Sequence, residues 1–366
     1  MARFLAMTSR GLADALAEEL KELGLERIQK GPGGVYFEGS WAACYRANLR
    51  SRIATRIALP TLDFPAYKPE DLYHNVRKHD FTKYIEPTGK IAVEASVRAS
   101  GAFRDQRFVA MKIKDAVVDQ FREKFDVRPD VDTENPDLRI VARAVKNQFS
   151  LSIDTSGDGL YKRGYRVAHT EAHLKEHVAA GILRLTGWKG DVPIVDPMCG
   201  SGTILIEAAL MALNIAPGSM RKNFAFQKFK NFNKDAWQKE ADAALAEEKT
   251  ELPFKFYGYD VDRKALAAAV KNADAAGVAE YIEFSRHPME ILKAPVEHGI
   301  LIVDPPYGER MGEINDLIET YKNLAHTMKT GFKGWDCYVL SGNPELSAAM
   351  KLKAERKFPV YNGPIE

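Results

Sequence analysis

Asp196-Pro197-Met198-Cys199-Gly200-Ser201-Gly202-Thr203 is the stretch that decides the fold of this 366-residue chain, and Asp304-Pro305-Pro306-Tyr307-Gly308 further along confirms its direction. Residues 191–195 (Asp-Val-Pro-Ile-Val) have the composition of a buried strand, and Ile204 to Leu213 is a run of good helix formers. The glycines therefore fall at a strand-to-helix turn, the place where α/β folds bind ligands. Gly200 and Gly202 allow the backbone a close approach to a guest. The third glycine of a dinucleotide fingerprint and the lysine of a P-loop are both missing, so a pyrophosphate is not the expected guest.

Working outward, Phe256-Tyr-Gly258-Tyr-Asp260-Val261-Asp262 predicts a short strand ending in acids, and Arg263 to Ala276 predicts a helix capped by Asp262. Asp260 stands where a carboxylate would hold ribose hydroxyls. Gly299 to Val303 is a continuous apolar run, as a strand covered on both faces requires, and it delivers Asp304 to the carboxyl edge of the sheet. Three strand ends thus converge on one crevice.

These residues resemble the class I S-adenosylmethionine-dependent methyltransferases, and Asp304-Pro-Pro-Tyr307 is similar to the signature of amino methylases acting on exocyclic nitrogens of nucleobases. The resemblance implies a Rossmann-like α/β domain with S-adenosylmethionine as cofactor. It implies that Asp196 and the backbone of Cys199, Gly200, Ser201, Gly202 and Thr203 hold the methionine portion, with Asp260 and Val261 beside the ribose and Asp304 at the shared edge. In the third motif, around His287-Pro288-Met289-Glu290, the acid that commonly meets the adenine amino group is out of place, and His287, Glu290 or a backbone group substitutes. Chemistry accounts for the second motif. A purine exocyclic amine is a poor nucleophile because its lone pair is delocalised, and positive charge develops on nitrogen during transfer. Asp304 can accept one N–H and stabilise that charge. Pro305 stiffens the turn and leaves its carbonyl to accept the other N–H, while Tyr307 offers a flat face to the base.

The front of the chain predicts a small α+β unit, with a strand at Arg3–Met7, a helix from Thr8 or Ser9 through Leu23 and a strand at Gly33–Glu38. Pro60 to Lys68 reads as a linker or an irregular crossing. A second unit follows, with a strand at Lys90–Ser96, a helix from Phe108 to Phe125 and strands at Leu138–Val145 and Gln148–Asp154. Residues 1–170 carry 28 Lys and Arg against 23 Asp and Glu, and residues 171–366 carry 24 against 27, which makes the front half the side that suits a polyanion. Arg104, Arg107, Lys112, Lys162, Arg163 and Arg166 are the candidate phosphate contacts.

Asp154-Thr-Ser-Gly157 and Arg163-Gly164-Tyr165-Arg166 resemble the end of the THUMP RNA-binding module and its junction to a methyltransferase domain, and Thr170 to Leu183 resembles the helix that precedes the cofactor strand, with His173 where Pro is usual. The chain is similar throughout to the bacterial THUMP-containing 23S ribosomal RNA guanine-N2 methyltransferases. That likeness implies a ferredoxin-like subdomain over 1–65, a THUMP domain over 66–165 and a methyltransferase domain over 166–366, with an unpaired or flipped guanine of 23S rRNA as substrate. The family's tetrapeptide is typically Asn-Pro-Pro-Tyr followed by Gly-Glu-Arg-Leu, where this chain has Asp304 and Met311. Adenine-N6 methylation, guanine-N2 methylation of tRNA and a non-catalytic RNA-binding assembly role are the alternatives.

Between the two motifs, Phe224, Phe226 and Phe229 alternate with Arg221, Lys222, Lys228 and Lys230, a pattern that suits either stacking on unpaired nucleotides or packing onto the sheet, and Asp235 to Lys249 predicts an exposed helix. Cys44, Cys199 and Cys337 show neither disulfide nor zinc spacing, so no metal is expected. With no run of eighteen apolar residues and no apolar leader segment, a cytoplasmic protein without a membrane partner is expected. The final hairpin, ending at Phe358 to Glu366, is expected to be short for the family.

Overall fold

The computed structural model describes residues 1–99, 101–168, 174–308, 311–363 and 365. The words Thr170 to His173 and Glu309-Arg310, and the Met311 side chain, lie outside the described residues. Two sheets organise the chain, one of eight strands and one of five.

The first sheet is built from β1 (Ala2–Met7), β2 (Glu26–Gly31), β3 (Gly34–Gly39), β4 (Arg56–Pro65), β5 (Lys90–Arg98), β6 (Asp130–Val131), β7 (Leu138–Val145) and β8 (Gln148–Asp154), in the order β2-β3-β1-β4-β8-β7-β5-β6. Helices α1 (Ala13–Glu22), α2 (Trp41–Arg50), α3 (Pro69–Val76) and α4 (Gln106–Phe125) pack on it. The alternation in β7 shows why: Leu138, Ile140, Ala142 and Ala144 are buried while Arg139, Val141 and Arg143 face away. Asp105 caps α4 by accepting the Arg107 N–H at 2.8 Å.

The sequence predicts a linker or an irregular crossing at Pro60–Lys68, and here the structure corrects it, since β4 runs through Pro65. Pro60 and Pro65 lie inside β4, which pairs with β1 on one side and β8 on the other. A register shift between Pro60 and Leu62 absorbs the proline, and the Thr61 hydroxyl donates to the Leu151 carbonyl at 3.0 Å. The two front units therefore share one continuous sheet. Two smaller corrections concern the first unit. Helix α1 starts at Ala13, because Thr8 and Ser9 spend their hydroxyls on the Ile53 carbonyl and on His177. Strand β2 escapes detection because its residues are mostly exposed and charged, as suits a sheet edge.

After α5 (Glu176–Leu185), the second sheet holds β9 (Ile194–Asp196), β10 (Phe256–Asp260), β11 (Ile282–Arg286), β12 (Ile300–Val303) and β13 (Asp336–Val339), all parallel, in the order β11-β10-β9-β12-β13. Helices α6 (Thr203–Ala212), α7 (Lys234–Ala246), α8 (Arg263–Ala275), α9 (Met311–Gly331) and α10 (Pro344–Ala349) complete the chain. Strand β12 is buried at every position, as its unbroken apolar run demands. Helix α6 is buried on nearly all sides because it lies between the sheet and the front half, where Arg52 donates to the Leu210 and Ile215 carbonyls. Among the described residues no strand follows β13; Asn362 and Ile365 form an isolated bridge. No described helix is long and apolar enough to cross a membrane.

Candidate active site

The site grows from β9, the central strand. Gly258 of β10 is the register partner of Asp196, and Leu301 of β12 is the partner of Val195, so Asp260 and Asp304 each extend past Asp196 on a neighbouring strand. The loops that follow are laced together. The Cys199 N–H donates to the Tyr259 carbonyl at 2.9 Å, and the Gly200 N–H donates to the Asp260 carboxylate at 2.9 Å. Asp196 accepts from the Met198 N–H at 3.1 Å, and Asp260 also accepts from the Asp262 N–H. Asp262 itself caps α8 by accepting from Lys264.

Both glycines of the loop are required, for different reasons. Gly200 has φ 53° and Gly202 φ 81°, the left-handed region that side chains rarely enter. At Gly202 a Cβ would also stand 3.1 Å from Ala269 and Phe284, so the loop needs the missing side chain to seat on α8 and β11. At Gly200 a Cβ would meet nothing within 4 Å, which marks the loop's outer face as open. Ser201 and Thr203 are buried, and Cys199 is buried with its thiol pushed up by burial and by Asp196 and Asp260, so it is not a thiolate nucleophile. Val261 is 58% exposed at the tip of β10, an apolar surface at the mouth of the crevice.

On the other side of β9, the Tyr307 hydroxyl donates to Asp304 and sets the ring beside the carboxylate. Burial pushes the Asp304 carboxyl above the usual range, and the Tyr307 bond opposes that rise. Pro305 is buried, and Tyr321 of α9 donates to the Pro306 carbonyl at 3.3 Å, which fixes the turn from beneath. Gly342 leaves room for the Tyr307 ring, since a Cβ there would lie 3.3 Å from its Cγ. The Asp196 carboxyl is pushed well up by burial first, then by the neighbouring charges of Asp304 and Asp260. Three carboxyl groups crowded at one sheet edge favour a cationic guest, whose charge would relieve their repulsion. Among the described residues no group of His, Cys, Asp and Glu is placed to hold a metal ion.

The sequence did not single out the supports of this site. Tyr321, Glu176 and Asn272 are remote in the chain from the motifs they brace, and only the packing brings them together. Asn272, fully buried on α8, accepts from the Val167 and Ala168 N–H groups and donates to the Ser201 carbonyl at 3.3 Å.

The model of the RMKL-like methyltransferase domain matches residues 163–366, after an RlmL ferredoxin-like domain over 3–58 and a THUMP domain over 66–154. The chain belongs to the RMKL-like methyltransferase family. Within that family, a ribosomal RNA large subunit methyltransferase K/L of Syntrophotalea carbinolica is 39% identical over 376 residues, covering 100% of this chain and 52% of its own length. The chain thus spans about half the length of the curated relatives of that kind. The slr0064 protein of Synechocystis is 36% identical over 360 residues and is covered over 94% of its length, against 98% of this chain. The crystal structure of SMU.472 complexed with SAH superposes with a TM-score of 0.91 at 29% identity, over 100% of this chain and 96% of that one.

The RMKL-like chain divides its expected RNA contacts sharply. Arg104 and Arg107 are exposed at the start of α4 and Lys112 is partly exposed on it, all within the THUMP segment. Lys162 is exposed and paired with Asp158. Arg163 is not at the surface. It is 1% exposed, and its guanidinium is spent on Glu207 of α6 and on the Leu160 and Arg52 carbonyls. Arg166 is likewise turned inward, onto Glu176, Ser201 and Thr203. Burying a guanidinium demands such full pairing, which leaves neither arginine available to phosphate. Phe224, Phe226 and Phe229 are buried against Trp41, Tyr45, Tyr84 and Trp237, so the packing alternative holds for this segment.

Proposed function

We propose that this protein transfers a methyl group from S-adenosylmethionine to the exocyclic N2 of a guanine in large-subunit ribosomal RNA. The observation that carries this reading is the placement of the 199–203 loop and the 304–307 loop on adjacent strands, so that a donor and an amine can share one crevice. The family match, the THUMP segment, the rRNA methyltransferase relatives and the SAH-bound neighbour support it.

The residues present fit the donor. Gly200 opens the loop to a ligand, Asp196 and Asp260 supply carboxylates, and the Val261 side chain offers apolar contact. S-adenosylmethionine, when bound, supplies an electrophilic methyl group on a sulfonium, whose positive charge suits the three acids. On the acceptor side, Asp304 keeps one carboxylate oxygen on the Tyr307 hydroxyl and accepts an amine N–H with the other. The Pro305 carbonyl takes the second N–H, since the Pro306 carbonyl is held by Tyr321. Directed this way, the nitrogen lone pair faces the donor, and Asp304 stabilises the charge that develops on nitrogen. Tyr307 lies flat against the base. A base inside a duplex cannot enter, so the target is unpaired or flipped, at a cost of about a few kcal/mol that phosphate contacts offset. In this division residues 1–65 and 66–165 engage RNA and 166–366 carry out transfer.

The test is nucleoside analysis of unmodified 23S rRNA after incubation with the purified protein and methyl-labelled donor. Label in N2-methylguanosine is expected. Label in N6-methyladenosine would transfer the assignment to the adenine amine, and label in tRNA alone would move it to that substrate. Absence of transfer together with absence of donor binding would leave the assembly-factor reading.

A further inference from the structure

The sequence places Arg166 among the RNA contacts, and the structure gives it different work. Its side chain is 10% exposed, and the flat guanidinium spreads over the cofactor loop. Nη1 donates to the Ser201 hydroxyl at 3.2 Å, Nη2 to the Thr203 hydroxyl at 3.0 Å and to the Leu174 carbonyl at 3.1 Å, and Nε to Glu176 at 2.8 Å. Resting on the assignment of the 199–203 loop as the donor cradle, we propose that Arg166 is a positioning residue that holds this loop in its ligand-binding shape.

The loop needs such a brace. Gly202 stands at the N-cap of α6 and has no side chain to satisfy the amides of the first turn. Ser201 and Thr203 flank it and carry the nearest hydroxyls that could fold back onto those amides. Arg166 occupies both. The loop also contains two residues at positive φ, a conformation with many alternatives in an unrestrained glycine-rich turn. Asn272 fixes the far side of the brace, tying the Val167 and Ala168 backbone to the Ser201 carbonyl. Glu176, itself buried, balances the guanidinium charge, so the brace does not repel a sulfonium. Arg163, three residues earlier, binds Glu207 one turn along the same helix, so one short segment grips α6 at two points.

The experiment is calorimetry with SAH on wild type, Arg166→Ala and Arg166→Lys, with RNA affinity and donor KM measured on the same preparations. Charge-assisted bonds to two hydroxyls imply about a tenfold or larger loss of SAH affinity in Arg166→Ala. Arg166→Lys is expected to recover part of it, and RNA affinity to stay within about twofold of wild type, with donor KM raised and kcat at saturating donor largely kept. In a cycle with Thr203→Val the two losses should fail to add, because both remove one contact. Unchanged SAH affinity, or a loss confined to RNA affinity, overturns the proposal. Should Arg166→Ala not fold, Arg166→Lys carries the same comparison. If wild type itself does not bind SAH, the donor cradle assignment falls with it; if wild type binds and the variants match it, only the role of Arg166 falls.

Discussion

The Asp304 carboxyl is pushed up by burial, with the Tyr307 hydroxyl bond opposing that rise. Only the ionised form neutralises a positive nitrogen. Activity should therefore rise with pH through an acid limb lying above the ordinary Asp value of about 3.9. Asp304→Asn keeps the acceptor oxygen but loses the charge. Its kcat/KM profile is expected to be flat where wild type has the limb, with a plateau about ten- to a hundredfold lower. A limb that persisted in the variant would assign the titration to another group. The placement of the motif residues at the ends of β9, β10 and β12 was legible from type and spacing, because a strand-end glycine loop restricts composition. Arg163 and Arg166 were not. A cation's sequence neighbours do not say whether it faces water or a buried carboxylate, and here Glu207 and Glu176 decide.

Among the elements, β7, β8 and α8 were readable to within a residue because alternation and capping act locally. Strand β4 was not, since its prolines are accommodated by a bulge whose partner, β8, lies far along the chain. The segment around Phe226 shows the same limit. Its pattern of aromatics and cations suits nucleic acid as well as a core, and burial against Tyr45 and Trp237 settles it. Phe226 is fully buried, so Phe226→Ala should cost about 3–5 kcal/mol of stability in denaturant unfolding, while RNA affinity of the folded protein stays unchanged. A drop in RNA affinity without loss of stability would instead show that this segment is a docking surface. Helix α4 presents Arg104 and Arg107 near its exposed start. Replacing both by Ala should make the dependence of log affinity on log salt shallower by about two units, the signature of two lost phosphate contacts. An unchanged slope would place RNA on another face.

The whole molecule is held together by polar contacts that join its two halves. His177 of α5 accepts or donates one bond with Ser9 at 2.8 Å, and the Arg52 guanidinium donates to the Leu210 and Ile215 carbonyls. None of this was visible in the sequence, where the two halves appear as separate domains. Burial pushes the His177 pKa down from 6.5 to about 3, so on acidification the unfolded chain gains its proton first. The stability supplied by the neutral imidazole is therefore present above pH 6.5 and is lost as pH falls toward 3, at up to about 1.4 kcal/mol per unit. Thermal unfolding followed over that window should show the decline, and His177→Gln should reduce its slope. An identical slope in the variant would exclude His177 as the titrating group.

The central claim is that the 199–203 and 304–307 loops form one site in which the first holds the donor and the second directs the amine. The most direct measurement is methyl transfer to 23S rRNA and SAH affinity determined on a single preparation of Asp304→Ala. The account predicts that transfer is lost while SAH affinity stays within about threefold of wild type. Transfer at the wild-type rate by that variant would contradict it.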